Sequence, residues 1–88
     1  MFRVPVPALE GGTMQSVGAP IWGNSASGAQ AALGTRSAVE LMDLASLSDA
    51  QALRAFYVTA AEAGIGGATA PIRIKLLDEI TDAHGGSG

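Results

Sequence analysis

Few side chains in this sequence are of the types that carry out catalysis. His84 is the only histidine, and cysteine is absent, which removes thiolate nucleophiles and thiolate metal ligands. His84 stands at the end of a predicted helix, where a cation suits the helix dipole. Catalysis needs a nucleophile with a base, a pair of tuned carboxylates or a metal set. We therefore expect a non-enzyme, with no catalytic residue, no cofactor and no bound metal.

Two further groups invite a chemical interpretation. Asp78, Glu79 and Asp82 lie close together, but carboxylates on a helix are usually solvated surface charge. Gly64–Thr69 is rich in glycine and precedes a helix start, as phosphate-binding loops do. Those loops follow a strand and carry a lysine, whereas here a helix precedes and the lysine is missing. We interpret the loop as a hinge between two helices and expect no small-molecule substrate.

Two helices joined by a glycine-bearing turn also form the skeleton of a helix-turn-helix domain. Binding to a phosphate backbone needs several cations on one face. The chain has a net charge of −3 and a pI of about 4.7, and only Arg73 and Lys75 stand close together. We expect no nucleic acid partner, and a helix-turn-helix DNA-binding protein is a minor alternative.

Three helices are predicted in the second part of the chain. Capping boxes at Ser37–Glu40 and Ser48–Gln51 begin the first two, and Gly64 closes the second. Thr69 is suited to cap the third, and Pro71 suits its first turn. The fold class is therefore all-α, with short helices at about 37–47, 49–63 and 70–84.

Residues 71–76 are also compatible with a strand, because Ile72–Lys75 alternates apolar and basic residues. The helix is favoured because the helical period of apolar residues continues to Ile80. The expected core consists of the apolar positions that share the inner faces of the three helices: Leu41, Leu44, Leu53, Phe56, Tyr57, Ala60, Leu76, Leu77 and Ile80.

The first 35 residues differ in composition from the rest. No charged residue lies between Glu10 and Arg36, and the prolines at the start favour extended backbone. Pro20 and the neighbouring glycines argue against a long helix, so only residues 28–33 suit a turn or two, ended by Gly34. We therefore divide the chain into an irregular, extended N-terminal arm and a helical domain, at 1–35 and 36–88.

Large apolar side chains are spread through this neutral arm, whereas disordered linkers rarely carry them. Either the arm inserts them into a groove, on this chain or on a neighbour, or Trp22 fills the core of a small domain. Both uses are common for aromatic residues. The candidate partner-binding residues are Phe2, Val4, Met14, Val17, Ile21 and Trp22.

An uncharged leading segment rich in glycine and serine, followed by short helices, resembles in general layout the small subunits of secretion rods and virions. A chain of 88 residues without a disulfide is marginally stable alone and gains stability from a partner. We expect a structural, assembly or adaptor subunit that docks onto a larger protein complex through its arm and an apolar helix face, or forms a homo-oligomer. The alternative is a small acidic protein that regulates or inhibits a larger, basic target.

Neither a signal peptide nor a membrane span is expected. The apolar start contains prolines and is too short for the hydrophobic region of a signal peptide. The uncharged run Gly11–Thr35 contains too many glycines and polar residues to cross a bilayer. We therefore expect a soluble protein made in the cytoplasm, and the sequence leaves its compartment and its partner open.

Overall fold

The computed structural model describes residues 8–23, 26–65 and 67–85. Every regular element in these ranges is an α-helix, which confirms the all-α class and places residues 71–76 in a helix. No helix of the described ranges is long and apolar enough to cross a membrane. The structure has five helices where the sequence predicted three: α1 (Met14–Trp22), α2 (Ala26–Ala32), α3 (Ala38–Leu44), α4 (Leu47–Glu62) and α5 (Thr69–Ala83).

The starts of α3 and α4 are set by serine caps. The capping box at Ser37 is confirmed: its hydroxyl accepts from the Glu40 amide at 3.3 Å, and the Glu40 carboxylate accepts from the Ser37 amide at 2.9 Å. The amide hydrogen bond from Ser37 lowers the pKa of Glu40. The cap predicted at Ser48 is wrong, because Ser46 takes that role and accepts from the Asp49 amide at 3.1 Å.

The connection from α4 to α5 uses glycine as the sequence predicted. Gly64 has a φ of +77°, and the Ile65 and Gly64 amides donate to the carbonyls of Ala60 and Ala61, at 2.8 and 3.1 Å. This is the Schellman pattern of helix termination. The predicted Thr69 cap is wrong: α5 begins one residue earlier than that cap requires, after Ala68 and without a side-chain cap.

Helix α5 is the centre of the fold, since it packs against α2, α3 and α4. Leu76, Leu77 and Ile80 on α5 are fully buried. Of the predicted core, Leu41, Leu53 and Ala60 are also buried, whereas three residues are only half-buried. Those three are Leu44, Phe56 and Tyr57. The buried apolar residues that the sequence did not predict are Val17, Ile21, Trp22, Ala29, Ala50 and Ala70.

The N-terminal arm (1–35, the leading segment) was predicted to be irregular and extended, but it contains α1 and α2 between residues 14 and 32. Pro20 lies in the last turn of the nine-residue helix α1, where it cannot donate the usual bond to the Ser16 carbonyl. A Thr13–Ser16 capping box begins α1, and the Arg36 guanidinium donates to the Ile21 carbonyl at 2.9 Å at its other end. A cation there also suits the helix dipole. The division into two parts at residue 35 stays a prediction.

Gly18 is needed because the Trp22 indole lies directly on it. A Cβ atom at position 18 would stand 2.8 Å from Cζ2 of the indole and 2.9 Å from its Cε2. The ring cannot easily retreat, since Trp22 is only 6% exposed and belongs to the core. The absence of a side chain at this position therefore lets the indole turn back over α1.

We predict that Gly18→Val lowers the free energy of unfolding by about 2 kcal/mol, because overpacking at the indole outweighs the gain in helix propensity. The matched control is Ala19→Val, one residue further on the exposed side of α1, which should cost only about 0.5 kcal/mol. Urea denaturation measures both. Equal losses in the two variants would contradict the proposed packing of Trp22.

The start of α4 holds the segment that precedes α1. Asp49, in the first turn of α4, is 3% exposed. Its two carboxylate oxygens accept from the Glu10 and Gly11 amides at 2.7 and 2.9 Å, and the Glu10 carboxylate accepts from the Ser46 hydroxyl at 3.1 Å. Hydrogen bonds to a charged acceptor are stronger than neutral ones, so this Asp49 clamp joins two distant parts of the chain.

We expect Asp49→Asn to reduce the free energy of unfolding by about 2 kcal/mol. The asparagine side chain has only one oxygen, so one of the two backbone N–H groups loses its acceptor and faces a side-chain N–H instead. Asp82→Asn is the control: Asp82 is exposed in the last turn of α5, and its change should be neutral or slightly stabilising. Hydrogen exchange should also speed up at the Glu10 or Gly11 amide. Unchanged exchange at both amides would rule out the clamp.

Candidate functional site: a cation–aromatic cleft

Three helices bring together one cation and two aromatic rings. Trp22 ends α1, Tyr57 lies in the middle of α4, and Arg73 lies in the second turn of α5. The two rings meet edge to face with centroids 5.6 Å apart. The Arg73 guanidinium carbon lies 4.9 Å from the Trp22 ring centroid and 5.5 Å from that of Tyr57. Both distances fall within the range of cation–π interactions.

The hydrogen bonds of Arg73 leave much of its guanidinium unpaired. Nη1 donates to the Tyr57 hydroxyl oxygen at 3.1 Å, and the buried Nε has no hydrogen-bond partner among the described residues. Within the described residues no carboxylate lies at ion-pair distance from Arg73, since the ion pair found there joins Arg54 to Asp78. A half-buried cation without a carboxylate is unusual in a chain with eight acidic residues, because desolvated charges are normally paired.

A cleft of about 260 Å³ opens beside this group. Arg73 carries its only formal charge, and Arg73, Tyr57 and Gln15 supply polar groups to its surface. The cleft is therefore electropositive although the whole chain is acidic. Its lining residues are Met14, Gln15, Ala19, Trp22, Gly23, Tyr57 and Arg73.

The residues predicted to bind a partner lie in several places. Val17, Ile21 and Trp22 are buried in the core of their own chain, with Ile21 fully inaccessible. Met14 is half-buried and lines the cleft. The two remaining candidates, Phe2 and Val4, lie outside the described residues. The structure thus places Trp22 in the core of its own chain, one of the two arrangements that the sequence left open.

Tyr57 and Arg73 were not predicted as site residues. The sequence placed Tyr57 in the core and Arg73 in an ambiguous helix or strand. Nothing local connects either residue to Trp22, because the three positions meet only through the packing of α1, α4 and α5. An arginine beside a buried aromatic pair is visible only after the fold is known.

Three of the other side chains singled out from the sequence, those of Asp78, Glu79 and His84, form polar contacts within the fold. His84 Nε2 lies 2.8 Å from the Ala45 carbonyl oxygen, to which it donates, so this ring atom carries a proton. Asp78 pairs with Arg54, and the Glu79 carboxylate accepts from the Gly34 amide at 3.1 Å. These contacts hold neighbouring elements together.

A second cavity, of about 310 Å³, lies beside the Asp49 clamp. Its polar lining includes Glu10, Ser46 and Asp49. These residues already bond one another: Asp49 accepts from the Glu10 amide, Glu10 accepts from the Ser46 hydroxyl, and Ser46 accepts from the Asp49 amide. On the outer side of α3, Val39 and Met42 are 70% and 45% exposed. They stand three residues apart and so form a small apolar face on one side of the helix.

Comparisons with known proteins identify no relative. No protein-family model matches the chain, and neither a curated protein nor a solved structure matches it.

We predict that Arg73→Met changes the free energy of unfolding by no more than about 1 kcal/mol. The variant loses cation–π contacts and one hydrogen bond, but it also removes the cost of a half-buried, unpaired charge. Methionine keeps the unbranched apolar stem. Thermal and urea denaturation test this expectation, and a loss of about 3 kcal/mol or more would assign Arg73 a structural role instead.

Proposed function

We propose that this protein is a non-enzymatic assembly or adaptor subunit that docks onto a larger protein partner. The observation that supports the proposal best is the guanidinium of Arg73, which lies in a cleft beside α1 and has no carboxylate partner among the described residues. Residues retained at a cost in stability are typical of binding sites. The leading segment contributes to docking because Met14 and Ala19 line the cleft. Its larger apolar side chains, Ile21 and Trp22, are buried and stabilise the fold.

The dimensions of the cleft support a protein partner over a free small molecule. Sites for drug-sized ligands usually enclose about 300–1,000 Å³, and this cleft is smaller, at about 260 Å³. It suits one end group of a larger ligand. Arginine beside tyrosine and tryptophan is also the composition enriched at the energetic centres of protein interfaces.

The exposed face of α3 adds a second surface to the proposal. Val39 and Met42 are large apolar side chains that reach solvent, and methionine adapts well to the shape of a partner. This face alone is small compared with stable interfaces, which bury about 800 Å² on each partner. We therefore assign it a supporting role beside the cleft.

The test compares matched variants of the full chain as bait. Deletion of residues 1–35 is unsuitable, because it removes Ile21 and Trp22 from the core. Arg73→Met and Lys75→Met make the same charge change on α5, but Lys75 is exposed and does not line the cleft. We expect a partner retained by the wild type and Lys75→Met to bind Arg73→Met at least about tenfold more weakly.

Quantitative proteomics of the three baits, followed by titration of the purified partner, measures this difference. A partner that binds all three baits equally would exclude the cleft as the docking surface. Sedimentation of the wild type as a monomer, together with no partner that distinguishes the baits, would overturn the proposal.

A further inference from the structure

We propose that residues 8–12 form a releasable strap, which lifts away from the body of the protein while the helices stay folded. Its release uncovers apolar surface on α1 and α3 and exposes the buried carboxylate of Asp49. This movement is separate from the docking proposed at the Arg73 cleft, because the strap lines the other cavity, beside the Asp49 clamp.

The strap lies outside the helices and has little apolar contact of its own. Leu9 is its only partly buried residue, and its other residues are exposed. Leu9 and Gly12 form an isolated antiparallel bridge, so this segment is a tight turn that can move as a unit. Segments with few buried apolar contacts open at a lower free energy than the core of the same protein.

Polar contacts with the start of α4 attach the strap to the body. The Asp49 carboxylate accepts from the Glu10 and Gly11 amides at 2.7 and 2.9 Å, and the Ser46 hydroxyl donates to the Glu10 carboxylate at 3.1 Å. These bonds are opposed by the conformational entropy of the ordered strap and by the desolvation of Asp49, which is 3% exposed. Since the opposing contributions are similar in size, opening the strap costs much less than unfolding the helices.

The start of α1 does not need the strap. The Ser16 amide donates to the Thr13 hydroxyl at 3.1 Å, and the Thr13 amide donates to the Ser16 hydroxyl at 2.9 Å. Both residues follow the strap, so the helix stays capped when the strap lifts. Gly12 connects the strap to this cap with a φ of +121°, and a glycine there leaves the backbone free to rotate as the strap moves.

The closed strap covers Val17 and borders a cavity. A Cβ atom at Gly11 would stand 3.1 Å from Oδ2 of Asp49 and 3.1 Å from Cγ2 of Val17, so the strap backbone lies directly on these two groups. Both are buried, and Val17 is 6% exposed. The strap and the apolar residues Leu44 and Ala45 line the adjoining cavity of about 310 Å³. The position of the strap therefore determines whether this surface reaches solvent.

Native-state hydrogen exchange of the full chain tests the proposal, at constant pH and at urea concentrations below the unfolding transition. The Glu10 and Gly11 amides report on the strap, and the Leu77 amide in α5 reports on global unfolding. We expect the strap amides to be protected, but at least about tenfold less than Leu77. Their exchange should depend little on urea, because a local opening exposes little surface, whereas exchange at Leu77 should rise steeply.

Two variants separate local opening from global unfolding. Ile80→Val removes a methylene group from a fully buried side chain of α5. It should speed exchange at Leu77 by about two- to tenfold, while the strap amides keep their wild-type rates. Asp49→Asn weakens the closed strap directly and should speed exchange at the strap amides by about tenfold or more.

Thiol labelling tests whether the lifted strap uncovers Val17. The chain has no cysteine, so Val17→Cys places a unique thiol beneath the strap. Ile21→Cys is the control on the same helix, at a position that is fully buried and does not line the cavity. Below the unfolding transition, labelling of Val17→Cys should be nearly independent of urea, whereas labelling of Ile21→Cys should rise with urea. Circular dichroism checks that both variants are folded.

Four results would overturn the inference. Strap amides without protection would mean that the strap is not closed in the native state. Strap amides with the protection and urea dependence of Leu77, or strap amides that Ile80→Val speeds as much as it speeds Leu77, would mean that the strap opens only when the helices unfold. Val17→Cys labelling with the urea dependence of Ile21→Cys would mean that release of the strap does not uncover this surface.

Discussion

The packing of the Trp22 indole is the contact on which the fold and the cleft both depend. The ring lies on Gly18 in its own helix, meets Tyr57 of α4 edge to face and carries the Arg73 guanidinium of α5 on its face. One side chain thus connects the leading segment to the two longest helices. In a chain of 88 residues without cysteine, such contacts between distant segments replace the staples on which small domains often rely.

Two polar contacts hold the leading segment on either side of that indole. The Asp49 carboxylate holds the backbone before α1, and Arg36 holds the carbonyl groups at the end of α1. Arg36 pairs carbonyl groups that the end of a short helix leaves without partners, and Asp49 pairs two amides of the segment before the helix. The neutral composition of residues 11–35 is therefore compatible with order, because the charges that fix the segment come from Arg36 and Asp49, which follow it in the chain.

The helices whose position depends on local periodicity and capping residues could be predicted from the sequence. Helical periodicity and the caps at Ser37 and Gly64 indicated α3, α4 and α5, and the start of α4 was misplaced only because two serines compete for the cap. Helix α1 was not predicted, because Pro20 and the neighbouring glycines have a low intrinsic helix propensity. The spacing of Met14, Val17 and Ile21 did carry the helical period. Burial of that stripe against the rest of the core outweighs the local preference, as tertiary context often does.

The cleft could not be predicted from the sequence, because Trp22, Tyr57 and Arg73 meet only through the packing of α1, α4 and α5. Arg73 and Lys75 would share one face of a strand, but in α5 they point roughly 200° apart. Lys75 reaches solvent, and Arg73 turns to the aromatic rings. The acidic composition of the remaining chain gives no long-range attraction for an anion. The proposed docking at the cleft would therefore rest on short contacts and respond weakly to salt, whereas docking of the acidic surface on a basic target would weaken steeply as salt rises.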